Sequence, residues 1–573
     1  MPRAVKVLTR RYFHSFFTKD LMAGLTVGVI ALPLAMAFAI ASGVKPEFGI
    51  YSTIIGAALV AAFGGCRFQV AGPTGAFIPI LLSIVLSYGY QNLLIAGAMA
   101  GIILIAMGVL KFGSLIKYIP MPVTVGFTAG IAVNIFVGQI SAFLGLHGLA
   151  RQESFFGNMR EIAIHLNTLN SYSVLTGALC LAIILLTPRV LPRVPGSLIG
   201  IIVSTLTAVF FYPGEVETIH TAFGGIPNNL PVFAFPEVTL DTLQKLVRPA
   251  FTIAMLGAIE SLLSAVVADS MTGTQHNSNR ELIGQGVANI VTPFFGGIPI
   301  TGAIARTATN IKTGARTRYA VVISSVFVLL TLLILAPYAG DIPLASLAPV
   351  LMITAFNMSE RRAVAFIIKT KSYSAVVLLV TFLLTVLADL TIAVEIGLLL
   401  AMVLFVKRMS DMMAVTKVVF DESNKLVEST EEDDELRHDC PQVSIFQVEG
   451  PLFFGAAQLF FQGIMDTIRY YPQFIILQMN RVPVIDLTGE GRLRSIIETL
   501  QKQGTTVLVA ELGEQPDATI HTTGLYDIIG QEHFFAKTKD AASYAVRHVD
   551  EKKCAHCDKA ALKLCRDILD RTK

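Results

Sequence analysis

The stretch GPTGA at residues 72–76 and the stretch PITGA at residues 299–303 interrupt two apolar segments and decide how the chain folds. Both contain Thr-Gly-Ala, and the two copies lie 227 residues apart, at Thr74 and Thr301. Glycine and proline break regular helices, so each stretch predicts a short helix that starts inside an apolar region. The repeat therefore predicts two equivalent short helices in two halves of the chain. The alternative is a chance tripeptide with packing kinks.

The composition around these stretches is that of a membrane protein. Hydrophobic residues make up 53% of the 573 residues and charged residues only 15%. An average soluble protein has about 25% charged residues, because its surface needs charge to stay hydrated. The net charge of +3, with no polybasic patch interleaved with aromatic residues, gives no sign of a nucleic-acid partner.

Fourteen apolar segments approach the length of about 20 residues that crossing a lipid bilayer requires. The nine continuous runs lie near residues 21–42, 92–110, 122–144, 172–188, 196–212, 249–270, 319–338, 373–389 and 391–406. The five shorter or interrupted runs lie near residues 49–64, 73–88, 282–298, 300–311 and 342–357. Lysine and arginine concentrate in every second loop, which predicts that both termini are cytoplasmic. The basic N-terminus, residues 1–20, leads into the first run without a cleavage site, so we expect a retained span.

The segments divide into two sets of seven, residues 21–213 and 248–408, whose starts are also 227 residues apart. An odd number of spans in each set predicts an α-helical membrane protein with a seven-plus-seven inverted repeat, as in many transporters. Both short helices would then begin near the membrane midplane and point their N-termini at one cavity. Helix N-termini carry unpaired N–H groups and partial positive charge and cannot face lipid, so the pair predicts an anion site.

Three ionisable residues in the second half are candidates for function, because a charge inside a span is costly. Arg306, early in the second short helix, is predicted to supply positive charge for an anion; the alternative is a structural arginine that snorkels to the cytoplasmic edge. Glu260 lies in the middle of a span and is predicted to couple transport to H⁺ or Na⁺; the alternative is a structural hydrogen bond. Asp269 lies about 13.5 Å further along the helix, where a cap or edge residue is favoured over a cation ligand.

The character of the chain changes near Val415. Residues 416–440 are charged and polar, which predicts a solvated linker. Residues 441–550 alternate strand and helix patterns, which indicate a small α/β domain. VSIFQV, FIILQM and VLVAEL are its predicted strands, and ETLQKQG ends a predicted helix.

The C-terminal tail, residues 551–573, is basic and amphipathic and contains Cys554, His556 and Cys557. This is a weak metal-binding pattern, and a reduced cytoplasmic tail is favoured, so we predict no metal. The sequence has no Walker loop and no nucleophile–base signature of a hydrolase. We therefore predict no cofactor, no catalytic residue and no enzymatic activity.

The membrane region resembles the sulfate permease (SulP) family over nearly the whole chain. The motifs that carry this resemblance are LPLAMAF at 32–38, FQVAGPT at 68–74, NREL at 279–282 with GQG at 284–286, and IART at 304–307. The segments GAIESLLSAVV and MTGTQHNSNREL are most similar to bacterial members that carry dicarboxylates. The resemblance implies a core domain and a gate domain, an elevator-like movement and a homodimer.

The resemblance also implies which residues bind the anion, between the third and tenth spans with help from the first. Those residues are Phe38, Thr74, Gly75, Ala76, Ala303, Ile304, Ala305 and Arg306. Several animal members have glutamine at the position of Leu34 and serine at that of Ala305. The site here has fewer side-chain donors, so it depends more on backbone N–H groups. Sulfate, bicarbonate and a dicarboxylate all stay open as substrates.

The C-terminal domain resembles a STAS domain through the motif VIDLTG at residues 484–489. This implies a cytoplasmic regulatory domain that can bind a protein partner. Thr488 stands where bacterial anti-sigma antagonists have a phosphorylated serine, so it is a candidate regulatory residue. The alternative is that Thr488 is the N-cap of the following helix.

Together these patterns predict a secondary active anion transporter of the inner (plasma) membrane. It would bind a small anion and H⁺ or Na⁺, sit in the lipid bilayer, and need no cofactor or nucleic acid. An uncoupled anion channel and a membrane-anchored sensor that signals through the STAS domain are the alternatives from other classes. A nucleobase permease is the alternative within the transporter class.

Overall fold

The computed structural model describes residues 16–550 and Lys553, apart from residues 115–118, 151, 153, 192–193, 229, 235–236, 389, 421–425, 429–439, 441 and 468–471. Most of the N-terminal stretch 1–20, much of the predicted linker, and Cys554, His556 and Cys557 lie outside the described residues. The chain forms two compact units, Met1–Ala401 and Met402–Lys573. Their boundary falls inside the last predicted span, not after residue 408 as the sequence predicted.

The first unit is built from helices. Those of its first half are α1 (Phe17–Ala41), α2 (Pro46–Phe63), α3 (Ile78–Tyr88), α4 (Tyr90–Val109), α5 (Met121–Gly138), α6 (Ile140–Leu144), α7 (Phe155–Ile164), α8 (Ser171–Val190), α9 (Gly196–Phe211) and α10 (Ile219–Phe223). Those of its second half are α11 (Leu240–Thr272), α12 (Ser278–Val291), α13 (Ile304–Lys312), α14 (Tyr319–Ala339), α15 (Leu344–Met358), α16 (Arg361–Lys369), α17 (Tyr373–Leu387) and α18 (Leu390–Ser410), which extends into the second unit.

Each predicted span coincides with at least one of these helices, whereas α7, α10 and α16 have no counterpart among the predictions. Within the described residues, seven helices are long and apolar enough to cross a membrane by length and composition. The two helices that follow the Thr-Gly-Ala motifs are short, with 11 residues in α3 and 9 in α13. Each rises only about 14–17 Å, roughly half of the hydrocarbon thickness, so neither is long enough to cross a bilayer by itself.

The two motifs meet in a short antiparallel pairing, which we call the crossing. Strand β1 (Ala71–Gly72) pairs with strand β2 (Thr301–Gly302), with Ala71 opposite Gly302 and Gly72 opposite Thr301. A 3₁₀ turn, Gly75–Phe77, leads from β1 into α3, and β2 leads into α13. The pairing satisfies backbone groups that could not be left exposed at membrane depth. Its antiparallel direction is consistent with two halves of opposite orientation.

Buried polar side chains on α11 and α12 hold the crossing in place. The Thr301 hydroxyl donates to the Gly257 carbonyl at 3.1 Å, and the Gly302 N–H donates to the Ser261 hydroxyl at 3.0 Å. Asn289 brackets Ile300, accepting from its N–H at 2.8 Å and donating to its carbonyl at 2.9 Å. These bonds give the irregular backbone the internal partners that it needs away from water.

The second unit contains a six-stranded sheet in the order β4-β3-β5-β6-β7-β8. Its strands are β3 (Ala414–Phe420), β4 (Leu426–Glu428), β5 (Val443–Glu449), β6 (Phe474–Arg481), β7 (Thr506–Ala510) and β8 (Phe534–Phe535). Its helices are α19 (Ala457–Thr467), α20 (Leu487–Lys502), α21 (Glu514–Thr523), α22 (Leu525–Ile529) and α23 (Thr538–His548). Strands β5 to β8 run parallel, and β3 pairs antiparallel with β4 and β5.

The three predicted strands and the predicted helix end are confirmed by β5, β6, β7 and α20. The prediction that all of residues 416–440 form a solvated linker is wrong. Residues 416–420 belong to β3 and residues 426–428 to β4, and Val418 is buried in the core of the sheet. The β-branched residues of β3 favour a strand, whereas the charged residues that follow favour exposure to solvent. Pairing with β4 and β5 stabilises the strand.

Candidate functional site

Thr74 ties the first half of the crossing to the long helix α11. Its backbone is extended just before the 3₁₀ turn, and its side chain forms no cap hydrogen bond with that turn. The hydroxyl instead donates to the Glu260 carboxylate at 2.8 Å, and both residues are 8% exposed. A carboxylate from the middle of α11 is thereby placed at the start of the α3 segment.

Arg306, in the first turn of α13, reaches back to the other motif. The side chain is 3% exposed, and Nη2 donates to the Pro73 carbonyl at 2.5 Å. Within the described part of the chain, the buried Nη1 has no hydrogen-bond partner. A Cβ at residue 72 would lie 2.7 Å from Nη1, so the glycine there admits the guanidinium. The alternative in which Arg306 snorkels to an aqueous edge is wrong, because the group is buried at the crossing.

Two side chains of opposite charge therefore form hydrogen bonds with consecutive residues of one segment. The Glu260 carboxylate bonds to Thr74, and the Arg306 guanidinium bonds to Pro73. The two charges also attract each other electrostatically. A buried charge is expensive unless it is compensated, so each helps to hold the other in the site.

The starts of the two short helices provide backbone donors. The first N–H groups of any helix have no partner within it, and here they belong to Gly75 and Ala76 on one side and to Ile304 and Ala305 on the other. The Ala303 N–H is already used, because it donates to the Val70 carbonyl at 2.8 Å. Of the predicted backbone donors, Ala303 is therefore not available to a ligand through its N–H.

Three side chains surround Gly75 at the start of the first short helix. A Cβ at this position would lie 3.6 Å from the Phe38 ring, 3.2 Å from Ile135 Cδ1 and 3.2 Å from Met358 Sδ. Phe38 therefore lies beside Gly75, another of the predicted binding residues. Ile135, on α5, and Met358, at the end of α15, were not predicted, because an apolar residue inside an apolar span carries no distinguishing signal.

A cavity of about 470 Å³ lies at the end of the unit at which α1 and α5 terminate. Ile78, in the first turn of α3, and Ile135 lie on its wall, together with the polar Asn134 and His147. Neither Glu260 nor Arg306 lines it among the described residues. The cavity therefore extends to the first turn of α3, and none of the described residues that line it belongs to the crossing.

Asp269 is not brought to the crossing. It lies near the end of α11, where its carboxylate accepts from the His276 N–H at 3.0 Å and contacts His276 Nδ1 at 2.6 Å. Thr274 also donates to it, at 3.3 Å. These contacts fit the interpretation as an edge residue that organises the turn after α11. Among the described residues, none of these contacts points to an ion-coupling role, which stays a prediction.

Thr488 lies in the exposed first turn of α20. The N-cap of this helix is Asp486, whose side chain accepts from the Gly489 N–H at 2.7 Å and from the Phe454 N–H at 3.0 Å. The alternative that Thr488 is the N-cap is therefore wrong. Phosphorylation at Thr488 stays a prediction, and the added charge would lie close to the Asp486 carboxylate.

The sequence profile of the sulfate permease family matches residues 17–381. The chain belongs to the sulfate permease family. A STAS domain profile matches residues 437–541, within the second unit. The described helices, the crossing and the mixed sheet are thus the parts of a multi-pass membrane transporter with a C-terminal STAS domain.

Relatives of similar length support this assignment. "Putative sulfate transporter YvdB" of Bacillus subtilis (strain 168) is 48% identical over 519 residues, covering 91% of this chain and 96% of that protein. "Bicarbonate transporter BicA" of a Picosynechococcus species is 30% identical over 512 residues, covering 86% of this chain and 89% of that protein. The family consists of anion transporters, so the present protein is a transporter and not an enzyme.

A solved structure shows the same fold. The structure of murine Solute Carrier 26 family member A9, described as an anion transporter in the inward-facing state, matches with a TM-score of 0.83. The match covers 93% of this chain and 92% of that chain at 19% identity. At this identity the likeness shows a shared architecture, with which a seven-plus-seven arrangement of the helices is consistent.

Proposed function

We propose that this protein is a secondary active transporter that couples a small oxyanion to H⁺ or Na⁺ at the crossing. The anion is held by the N–H groups of the first turns after the two motifs and by Arg306, and Glu260 is the coupling residue. The main support for the proposal is that Glu260 and Arg306 form hydrogen bonds with two adjacent residues, Thr74 and Pro73, of the same buried segment.

The charges at the crossing suggest why coupling is needed. An ionised Glu260 compensates Arg306, so an anion that arrives there meets a nearly neutral site with a carboxylate beside it. Repulsion between two negative charges in a low-dielectric environment is strong. Protonation of Glu260, or a Na⁺ bound to it, removes that repulsion and leaves the positive charge of Arg306 for the anion. Anion binding and cation binding therefore favour each other.

The helix packing suggests how access alternates between the two sides. One group contains α1, α2, α4, α11, α12 and α14, which pack against one another, and a second contains α5, α8, α9, α15 and α17. The crossing belongs to the first group, and Gly75 meets Ile135 and Met358 of the second. We propose that the first group moves past the second and carries the anion with it, as an elevator-type transporter does.

The names of the relatives favour sulfate or bicarbonate over a dicarboxylate as the substrate of this chain. Backbone N–H groups suit either oxyanion, because Leu34 and Ala305 add no side-chain donor to the site. Cytoplasmic termini, an inner (plasma) membrane location, a homodimer and a protein partner for the STAS domain complete the proposal. The distribution of positive charge supports the orientation, and the family resemblance supports the rest.

Counterflow in proteoliposomes tests the proposal. Labelled sulfate, bicarbonate, a dicarboxylate and uracil are offered to the purified protein at two pH values, with and without Na⁺. We expect saturable uptake of one or two oxyanions that depends on pH or on Na⁺. Unsaturable currents would indicate a channel, uracil uptake would indicate a nucleobase permease, and absence of any flux would indicate a sensor.

A further inference from the structure

A basic groove lies at the opposite end of the first unit from the cavity described above. It has a volume of about 510 Å³, and Arg67, Arg316 and Arg318 line it together with apolar residues that include Ala62 and Val322. Arg67 belongs to the connection between α2 and β1, and the other two arginines belong to the connection between α13 and α14. The groove therefore joins the two connections that lead to and from the crossing.

The three guanidinium groups have little internal compensation. Among the residues that the structure describes, the side chains of Arg67 and Arg316 make no hydrogen bond or ion pair, and both residues are exposed. Arg318 reaches only the carbonyls of Ala61 and Ala62, at 3.4 Å each. Like charges gathered in one groove repel one another, so an anion that entered it would be attracted by all three.

Two buried carboxylates contact these connections, and both bond to the backbone. Glu281 accepts from the N–H groups of Gly65 and Cys66, at 2.7 and 2.8 Å. Asp20, which is fully buried, accepts from the backbone N–H groups of Arg316 at 2.6 Å and Thr317 at 3.1 Å, and from the Thr317 hydroxyl. It fixes the backbone before α14 without bonding to a guanidinium. The turn is thus pre-organised, and its arginine side chains are left toward the groove.

We infer that this groove binds the phosphate group of an anionic phospholipid. Arginine recognises phosphate oxygens through paired N–H donors, and basic pockets between membrane helices on the cytoplasmic side suit such headgroups. The groove also has an apolar wall at the end of membrane-spanning helices. Such a wall can contact a lipid, whereas a free anion does not need it. Tyr319, 57% exposed, stands on that wall, and Phe63, 49% exposed, ends α2 beside it. Tyrosine is enriched at the membrane–water interface.

The inference rests on the proposed cytoplasmic orientation of this end and not on the anion site itself. A bound phosphate would bridge Arg67, five residues before Gly72, and Arg316, four residues after the end of α13. The lipid would therefore link the two segments that form the crossing. We expect transport to be faster in membranes that contain anionic phospholipid.

Native mass spectrometry of the full-length protein tests the inference. The protein is titrated with phosphatidylglycerol or phosphatidylcholine, and the variants are the single and triple glutamine substitutions of Arg67, Arg316 and Arg318. We expect preferential binding of one phosphatidylglycerol per protomer, weakened about fivefold for each arginine removed. The matched control is the triple variant Arg189→Gln, Arg362→Gln and Lys369→Gln, which removes the same charge from exposed positions elsewhere and should bind as the wild type does.

Three outcomes would overturn the inference. The first is equal affinity for the two lipids, and the second is unchanged affinity in the triple arginine variant, whose monodisperse elution shows that it is folded. The third is displacement of the lipid by millimolar inorganic phosphate or sulfate, which would show a site for free anions. Arg306→Ala separates this inference from the proposed function, because it should keep phosphatidylglycerol binding even though the crossing has lost its positive charge.

Discussion

The helix starts at the crossing differ from the start of α20 in the STAS domain. At α20 the Asp486 side chain caps the first turn by accepting from the Gly489 N–H. At the crossing, neither Thr74 nor Ala303 gives a side-chain cap, although Thr74 carries a suitable hydroxyl. That hydroxyl donates to Glu260 instead. A capped start has its donors satisfied by the chain, whereas an uncapped start buried beside an arginine leaves donors for a ligand.

Removal of the positive charge at the crossing should have the largest effect. We expect Arg306→Ala to lower the initial rate of anion uptake by about 100-fold or more, because it leaves Glu260 as an uncompensated buried charge and the anion without its counter-charge. Uptake in proteoliposomes measures this, with size-exclusion elution as the check on folding. The control is Asp269→Asn, which lies outside the crossing and should keep most of the uptake. Comparable losses in both variants would contradict the site.

The next effect concerns the coupling residue. Glu260→Gln keeps the shape of the side chain and an acceptor for Thr74 but removes the charge that binds H⁺ or Na⁺. We expect accumulation against a gradient to stop, while exchange of labelled for unlabelled anion continues without dependence on pH or Na⁺. Parallel accumulation and counterflow assays separate the two activities. Accumulation with the wild-type dependence on pH and Na⁺ would show that Glu260 is structural.

A smaller effect is expected at Thr74. Thr74→Val removes the hydroxyl that donates to Glu260, and a hydrogen bond to a charged group contributes about 1.5–3 kcal/mol. The bond stabilises the ionised carboxylate that repels the anion, so its loss should lower the cation concentration that gives half-maximal uptake by about tenfold or more. Uptake measured over a range of pH and Na⁺ concentration tests this. Thr74→Ser keeps the hydroxyl and is the matched control, which should stay close to the wild type. Equal behaviour of the two variants would argue that the hydroxyl has no role.

The smallest effect is expected at the capped start of α20 in the STAS domain. Asp486→Ala removes the cap of α20 and should lower the stability of that helix by about 1 kcal/mol without changing anion uptake. Hydrogen exchange at the amides of α20 measures the loss. Thr488→Ala is the control and should change stability by less than about 0.5 kcal/mol. If Thr488→Ala destabilises α20 as strongly, the assignment of the cap to Asp486 is incomplete.

The parts of the fold that the sequence could predict are those with a pattern of their own. The apolar runs located the helices, and the repeated Thr-Gly-Ala marked the starts of the two short ones, because hydropathy and helix-breaking residues act locally. Ile135 and Met358 could not be found, because apolar residues within apolar spans look alike until packing brings one of them to Gly75. The cap of α20 was missed by two residues, since helix starts are among the least certain features of a sequence.

Polar residues in the spans posed a different difficulty. Ser261 and Asn289 hold the crossing through hydrogen bonds to Gly302 and Ile300, yet nothing local in the sequence distinguishes them from polar residues that bond within their own helix. For Asp269 the sequence favoured a cap or edge residue over a cation ligand, and the structure shows its carboxylate organising a turn. The hydrogen-bond partner of a polar side chain depends on the tertiary structure, and a short-range sequence pattern does not contain that information.

The most direct test of the central claim is a cryo-electron microscopy structure with the oxyanion that the counterflow assay selects. We predict density for the anion between the first turns after the two motifs, within hydrogen-bond distance of Arg306 Nη1 and the N–H groups of Gly75 and Ala305. Density confined to the cavity beside Ile135, with an empty crossing in a protein that transports, would contradict this prediction.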